Sequence, residues 1–430
     1  MEQEQPTNRN PSRLAAIPLA VACAAVPLGS LLARFTGPGH EVSAFLPWLL
    51  LAALGTVRAI LFRRSGSRLR PKFFLELAMF AGLAWLIGVR HRDLLYQLSW
   101  LADLTPELAP AIMLGFCGLW AITFGLPDRA DFQRYGAILG LLCIADLAVE
   151  GFIYRAAPPV RWIGDMDLLA GLLLACLCAG LKPGLPEGGR YEPDQGRTVY
   201  RALILAGIMA TLSRTGLFGA GWIYLCFGRG SRLIRTAVAL ACFGLLGASF
   251  LLPMTPADLA RYVDYWLWAK SLALFTADPL VLLTGLPADQ ALPFTFPPEM
   301  IPVWDRVMDS PALFGAHLPQ VPSFWLRSVL GWGLLPPAAF LIGLFILLFR
   351  RLTRMGAGLA AAIFVQGMST PLLYDPSTGA VVGLALLLAL SAPEFGPQCD
   401  SDHATPPETG AEPEPATEAD PAREWDLRPL

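Results

Sequence analysis

The chain has 430 residues, of which 55% are hydrophobic and 15% charged, and the apolar residues come in long blocks instead of the short alternations of a soluble core. A formal net charge of -2 hides a segregation, with arginines gathered in short segments between apolar blocks and acids crowding the C-terminal end. This pattern excludes a soluble enzyme and a nucleic-acid binder, and makes the lipid bilayer the natural solvent of the chain.

A hydrocarbon core about 30 Å thick takes ~20 apolar residues in helical form. On that measure the first half predicts spans at 14–33, 42–62, 73–89, 109–126, 136–153 and 166–181. Arg9 and Arg13 precede the first of these as in a secretory signal, but further spans follow at once, so it reads as an uncleaved span. The second half predicts spans at 199–212, 215–227, 236–252, 324–349, 356–368 and 379–392. The expected fold is all-α, a polytopic transmembrane bundle of about twelve spans within residues 1–392, with one large loop at 253–323. Residues 393–430 are rich in Pro, Glu, Asp and Ala, with almost no large apolar residue before Trp425, and predict a disordered tail.

Basic residues orient the bundle. Arg63, Arg64, Arg68, Arg70 and Lys72 mark a cytoplasmic segment, and alternation assigns Arg129/Arg134, Lys182/Arg190/Arg197, Arg229/Arg232/Arg235 and Arg350/Arg351/Arg354 to the same side. Both termini are then expected in the cytoplasm and the 253–323 loop in the periplasm, as in a bacterial inner-membrane protein. The stretch 199–227 reads either as one long helix interrupted at Ser213-Arg214 or as a hairpin with these residues at its tip. Parity favours the hairpin, since a single span would export two arginine clusters. Arms of 13 or 14 residues reach only roughly 20 Å, so Arg214 is expected at the floor of a water-filled cavity, where an arginine avoids lipid.

The cysteines fall almost entirely inside apolar blocks and read as small packing residues, without a disulfide framework or a metal cluster. Glu76, Asp146 and Glu150 interrupt spans. The last two lie one helical turn apart and point inward on one face, where the choice is between pairing and a proton path. Within the loop, Arg261 to Phe275 places apolar and aromatic residues at helical spacing, predicting an amphipathic helix on the membrane surface that ends at Asp278-Pro279. Trp266 and Trp268 on it suit an interfacial aromatic belt or a sugar-stacking surface.

Four stretches together resemble the bacterial O-antigen ligase and O-antigen polymerase superfamily of membrane glycosyltransferases. Gly164-Asp-Met-Asp167-Leu-Leu-Ala170 is similar to the family's Gly-x-x-Asn-Pro-Asn-x-x-Ala entry into a span. Leu212-Ser213-Arg214-Thr-Gly216 is similar to its Ser-Arg-Gly element between spans. Arg261 through Trp266 to Asp278-Pro279 and Gly285 resembles the start of its large periplasmic loop. Pro322-Ser323-Phe-Trp325-Leu326 through Gly333-Leu-Leu resembles the loop's exit.

The resemblance implies transfer of a glycan from an undecaprenyl-pyrophosphate carrier to a saccharide or lipid-linked acceptor at the periplasmic face, with no cofactor and no metal. Arg214 and Arg261 are the candidates for stabilising the departing pyrophosphate. Ser213, Trp266, Arg306, Ser323 and Arg327 are the candidate substrate-binding residues. Where the family carries a histidine proposed to activate the acceptor hydroxyl, this chain has Pro322. His317, five residues earlier, is the candidate substitute base, and Asp264, Asp305 and Asp309 are further loop candidates. A secondary transporter and a non-catalytic subunit of a polysaccharide assembly complex are the competing readings. Transporters commonly show two related halves, whereas here the Ser-Arg hairpin and the large loop occur only in the second half.

Overall fold

The computed structural model describes residues 13–36, 48, 51, 99–149, 151, 162–181, 195–228, 230–251, 256–288, 290–308, 311–350 and 353–391. Apart from 48 and 51, the expected spans 42–62 and 73–89 lie outside them, as do the basic segment 63–72, the tail 393–430, and Glu76, Glu150 and Asp309. Among the described residues the fold is helical with no strand, and its single isolated β-bridge joins Ala291 to His317.

Arg13–Ala16, Ile17–Ala20, Val21–Ala25 and Val26–Thr36 run on as one helical segment, α1. Its π turn at Val21–Ala25 comes just before Pro27, which has no N–H to offer the preceding turn. Then follow α2 (Ser99–Phe124), α3 (Arg129–Val149), α4 (Met166–Ala179), α5 (Gln195–Thr211), α6 (Arg214–Phe227) and α7 (Arg232–Ser249). Among the described residues, four helices are long and apolar enough to cross a membrane, at Leu14–Leu31, Pro106–Phe124, Arg129–Val149 and Arg232–Ser249. Met166–Ala179, Thr198–Thr211, Leu335–Ile346 and Pro376–Ser391 are apolar but shorter.

The large loop folds on itself. It contains α8 (Pro256–Ala277), α9 (Pro279–Thr284) and α10 (Ile301–Val307). Val263, Trp266 and Leu267 on α8 meet Trp304, Leu318 and Leu330 in a small hydrophobic core separate from that of the bundle. The expected amphipathic helix is therefore present and slightly longer, and its buried face packs on the loop's own residues.

The expected single span 324–349 is two helices, α11 (Phe324–Trp332) and α12 (Leu335–Arg350). The break is Gly333, with φ of 74°, where a Cβ would stand 2.1 Å from the Leu283 carbonyl oxygen. Gly285, with φ of 75°, lies against it, and the flanking amides close the seam: Leu286 N–H donates to Leu330 O and Leu334 N–H to Leu282 O. Positive φ and backbone contact both demand glycine, so these two residues fasten the loop's entry to its exit. The chain ends its described part with α13 (Arg354–Gly367) and α14 (Pro376–Ser391).

Helices α4 and α14 are buried along most of their length, as expected of helices apolar on every face. Contacts at their ends fix the directions of the others. Gln133 Nε2 of α3 donates to Gly180 O after α4, while Asp146 of α3 accepts from Trp162 N–H before it, so α3 and α4 are antiparallel. Ser213 at the start of α6 binds Asp167 at the start of α4, and Gly219 packs on Leu174, so these two run parallel. Gln366, at the end of α13, donates to Asp167 O, and Gly358 packs near Leu181, so α13 runs the other way. Asp165 to Asp167, Ser213-Arg214, Ser249 and Gly367 to Thr370 thus share one end of the bundle. Arg129, Arg232 and Arg354, at the starts of α3, α7 and α13, are at the other.

Candidate functional site

At the first of these ends the chain turns from α5 into α6 in two residues. Leu212 takes φ of 51°, unusual for a side chain of its size, and Ser213 caps α6 by accepting from Gly216 N–H. Gly216 lets α6 approach α4, since a Cβ there would stand 2.5 Å from that of Ala170. The close approach delivers Ser213, fully buried, to Asp167, and its hydroxyl donates to Asp167 Oδ1. Asp165 caps α4 in turn, accepting from the N–H groups of Asp167 and Leu168 at 2.8 and 3.0 Å.

Arg214 and Arg261 reach this point from different elements. Arg214 opens α6 and donates from Nε to Ser249 Oγ at 3.4 Å and from Nη2 to Ser249 O at 3.3 Å, with its guanidinium 4.1 Å from the Phe250 ring centroid. Arg261, on α8, donates from Nη2 to Leu212 O at 3.3 Å and to Met166 Sδ at 2.9 Å. The strained Leu212 therefore aims its carbonyl at the loop helix. Three of the four stretches that carry the family resemblance meet here, through Asp167, Ser213-Arg214 and Arg261, although up to 95 residues separate them.

Asp264 stands three residues after Arg261, on the same side of α8. It is half-buried. Burial, with Asp165 and Asp167 alongside, pushes its carboxyl up to about 7, against the pull of Arg261.

A second polar group of the site lies on α13 and just after it. Gln366 Nε2 donates to Asp167 O at 2.8 Å, and Ser369 Oγ donates to Thr215 Oγ1 at 2.9 Å, which is itself 3.3 Å from Ser213 Oγ. Sequence reasoning missed these residues, which close an apolar span as ordinary polar punctuation. Only the pairing of α13 with α4 and α6 gives them a role.

The other expected site residues go elsewhere. Trp266 is stacked on Phe296 at a centroid distance of 4.9 Å and lies edge-on to Phe294 and Trp304, inside the loop core. Arg306 is exposed on α10. His317 accepts from Gln320 N–H through its carbonyl and donates its own N–H to Gln320 Oε1 at 2.7 Å. None of its contacts among the described residues reaches Arg214, Arg261 or Asp167.

Ser323 caps α11 and donates to Gly367 O at 3.0 Å, holding the loop's exit against α13. Arg327 forms a buried ion pair with Glu107, Nη2 to Oε1 at 2.7 Å, and stands 3.9 Å from the Tyr374 ring centroid. Its Nη2 also donates to Pro106 O at 3.4 Å. Pro110, four residues on within α2, has no N–H to serve that carbonyl, so the arginine supplies the missing donor. Glu107 escaped sequence reasoning because it sits between two prolines just ahead of an expected span, in the place of a loop acid.

Among the described residues no group of three or more His, Cys, Asp or Glu side chains is arranged to hold a metal ion. Scans of the chain against protein-family models and curated proteins find no match. What the arrangement offers is two guanidiniums, each with five N–H donors in a planar fork suited to phosphate oxygens, beside carboxylates and hydroxyls at the end of an apolar bundle.

Proposed function

We propose that the protein is an O-antigen ligase/polymerase-like membrane glycosyltransferase of surface polysaccharide biosynthesis. It would move a glycan from an undecaprenyl-pyrophosphate carrier to a saccharide or lipid-linked acceptor. The observation that carries this reading is the meeting of Asp167, Ser213-Arg214 and Arg261 at one bundle end, roofed by the loop helix α8.

The chemistry fits. Breaking the bond from the anomeric carbon to pyrophosphate builds negative charge on the leaving oxygen. Fixed guanidiniums in a low-dielectric site stabilise such charge without reorganising. Ser213, capping α6 and bound to Asp167, positions Arg214 as the next residue in the chain.

The same reading places about twelve spans in the bacterial inner membrane. Arg129, Arg232 and Arg354 stand at the bundle end opposite the site, so the positive-inside rule puts that end in the cytoplasm and the site at the periplasmic face. A lipid-linked glycan would enter from the outer leaflet beneath the loop.

Replacing Arg214 by Ala and following surface glycan chain length in cells tests the proposal. Loss of long chains, with the protein present at its normal level, is expected. Unchanged glycans at that level would refute it. Solute uptake by proteoliposomes of the purified protein would instead favour a transporter.

A further inference from the structure

We propose that Asp264 is the general base of this transfer, taking the proton of the acceptor hydroxyl as that oxygen attacks the anomeric carbon. The inference rests on the glycosyltransferase reading and supplies what that reading lacks, because Pro322 has no group that can take a proton and none of the His317 hydrogen bonds among the described residues joins it to Arg214, Arg261 or Asp167.

The geometry selects Asp264 from the acids present. Asp167 is engaged by the Ser213 hydroxyl and Asp165 by two N–H groups at the α4 terminus. Asp305 accepts the Ala312 N–H at 2.7 Å. Asp264 has no hydrogen-bond partner among the described residues, leaving its oxygens to a ligand. It follows Arg261 by three residues on the stripe of α8 that flanks the buried Val263, Trp266 and Leu267. The Arg261 bonds to Leu212 O and Met166 Sδ pin that stripe over the junction of α4, α5 and α6, where Arg214 also lies.

A second polar atom near Asp167 stands unsatisfied. Gln366 is 1% exposed and spends its amide N–H on Asp167 O, yet its Oε1 has no hydrogen-bond partner among the described residues. A buried amide oxygen of this kind is normally satisfied by a donor such as a sugar hydroxyl or a water.

The charged groups around Asp264 set the conditions under which it works. Asp165 and Asp167 face it from α4, and Arg261 shares its own helix. From the elements packed on α8, Arg306 is exposed, Arg327 is bound to Glu107 and Asp305 is bound to Ala312. A carboxyl pushed up to about 7 is basic enough to accept a proton and passes from mostly protonated to mostly ionised across neutrality. In the step, the acceptor oxygen bonds to the anomeric carbon and its proton goes to an Asp264 oxygen. The bond from the anomeric carbon to the pyrophosphate oxygen breaks, and its electron pair leaves with undecaprenyl pyrophosphate beside Arg214 and Arg261. Nothing is oxidised or reduced.

The test uses the full-length protein in proteoliposomes. Lipid-linked glycan and membrane glycolipid, both extracted from cells lacking the protein, serve as donor and acceptor, and release of undecaprenyl pyrophosphate is followed from pH 5.5 to pH 9. The wild type should rise to a plateau through about pH 7. Asp264→Asn should lose about 10²-fold or more on the plateau, the scale of a general base, and its residual rate should be flat with pH, at a donor KM within about threefold of wild type. Asp264→Glu should keep the pH limb and part of the rate, which a purely structural role for the aspartate would not produce. A wild-type rate in Asp264→Asn, or a reduced rate that keeps the limb near pH 7, overturns the assignment. If those results come with a slow Arg214→Ala, only the base assignment fails. If the wild type releases nothing, the glycosyltransferase reading fails and the base with it.

Discussion

Removing Glu107 should leave a guanidinium stranded in the protein interior. The Arg327 and Glu107 side chains are 6% and 2% exposed, and the arginine meets the carboxylate through Nε at 3.1 and 3.3 Å and Nη2 at 2.7 Å. Its remaining bonds to Pro319 O and Pro106 O, and its place over Tyr374, hold it where it is when the carboxylate goes. Breaking a buried pair from one side costs about 3–5 kcal/mol. Glu107→Ala should therefore destabilise by that amount in an SDS titration of the micellar protein followed by tryptophan fluorescence. Combining it with Arg327→Met removes the stranded charge, and stability should recover to about 1–3 kcal/mol below wild type, the remainder reflecting carbonyls left without a donor. The reasoning is refuted if Glu107→Ala unfolds within about 0.5 kcal/mol of wild type, or if the two single losses simply add in the double variant.

Other consequences follow from single contacts. Gly333→Ala puts a Cβ 2.1 Å from Leu283 O at a φ of 74°, so the seam between loop entry and exit should open; limited proteolysis should then cut the variant within 256–288 faster than the wild type. Ser213→Ala removes the α6 cap and the Asp167 partner and should cost about 1–2 kcal/mol in the same SDS titration, with Ser213→Thr recovering most of it. Asp264, raised to about 7, keeps in the folded state a proton that the unfolded chain has released, so stability should fall as pH rises from about 4 to about 7 and level off above. Asp264→Asn should flatten that slope, and a slope of the opposite sign would contradict the placement of Asp264 beside Asp165 and Asp167.

The sequence carried the helical class, because long apolar blocks leave few alternatives in a membrane, and it carried the break at Leu212-Ser213, because an arginine between two short apolar arms cannot face lipid. It also marked Arg214 and Arg261 as site candidates, while Asp167 stood only inside a motif until the helices brought it beside them. The single span expected over 324–349 failed at Gly333, since composition alone does not say that another stretch of backbone passes against a glycine. Trp266 was legible as an aromatic on an amphipathic helix. That Phe296 and Trp304 would cover it depends on how the irregular 285–300 segment folds back, which has no periodic signal. Glu107 and Gln366 were illegible for a related reason: each is an ordinary polar residue near a helix end until a distant Arg327 or Asp167 arrives beside it.

The most direct test of the central claim is release of undecaprenyl pyrophosphate by purified protein in proteoliposomes supplied with extracted lipid-linked glycan and glycolipid acceptor. The account predicts acceptor-dependent release by the wild type and a loss of about 10²-fold or more in Arg214→Ala and in Arg261→Ala, the scale of removing one preorganised donor from a charged transition state. No acceptor-dependent release by the wild type, or full rates in both arginine variants, would contradict it.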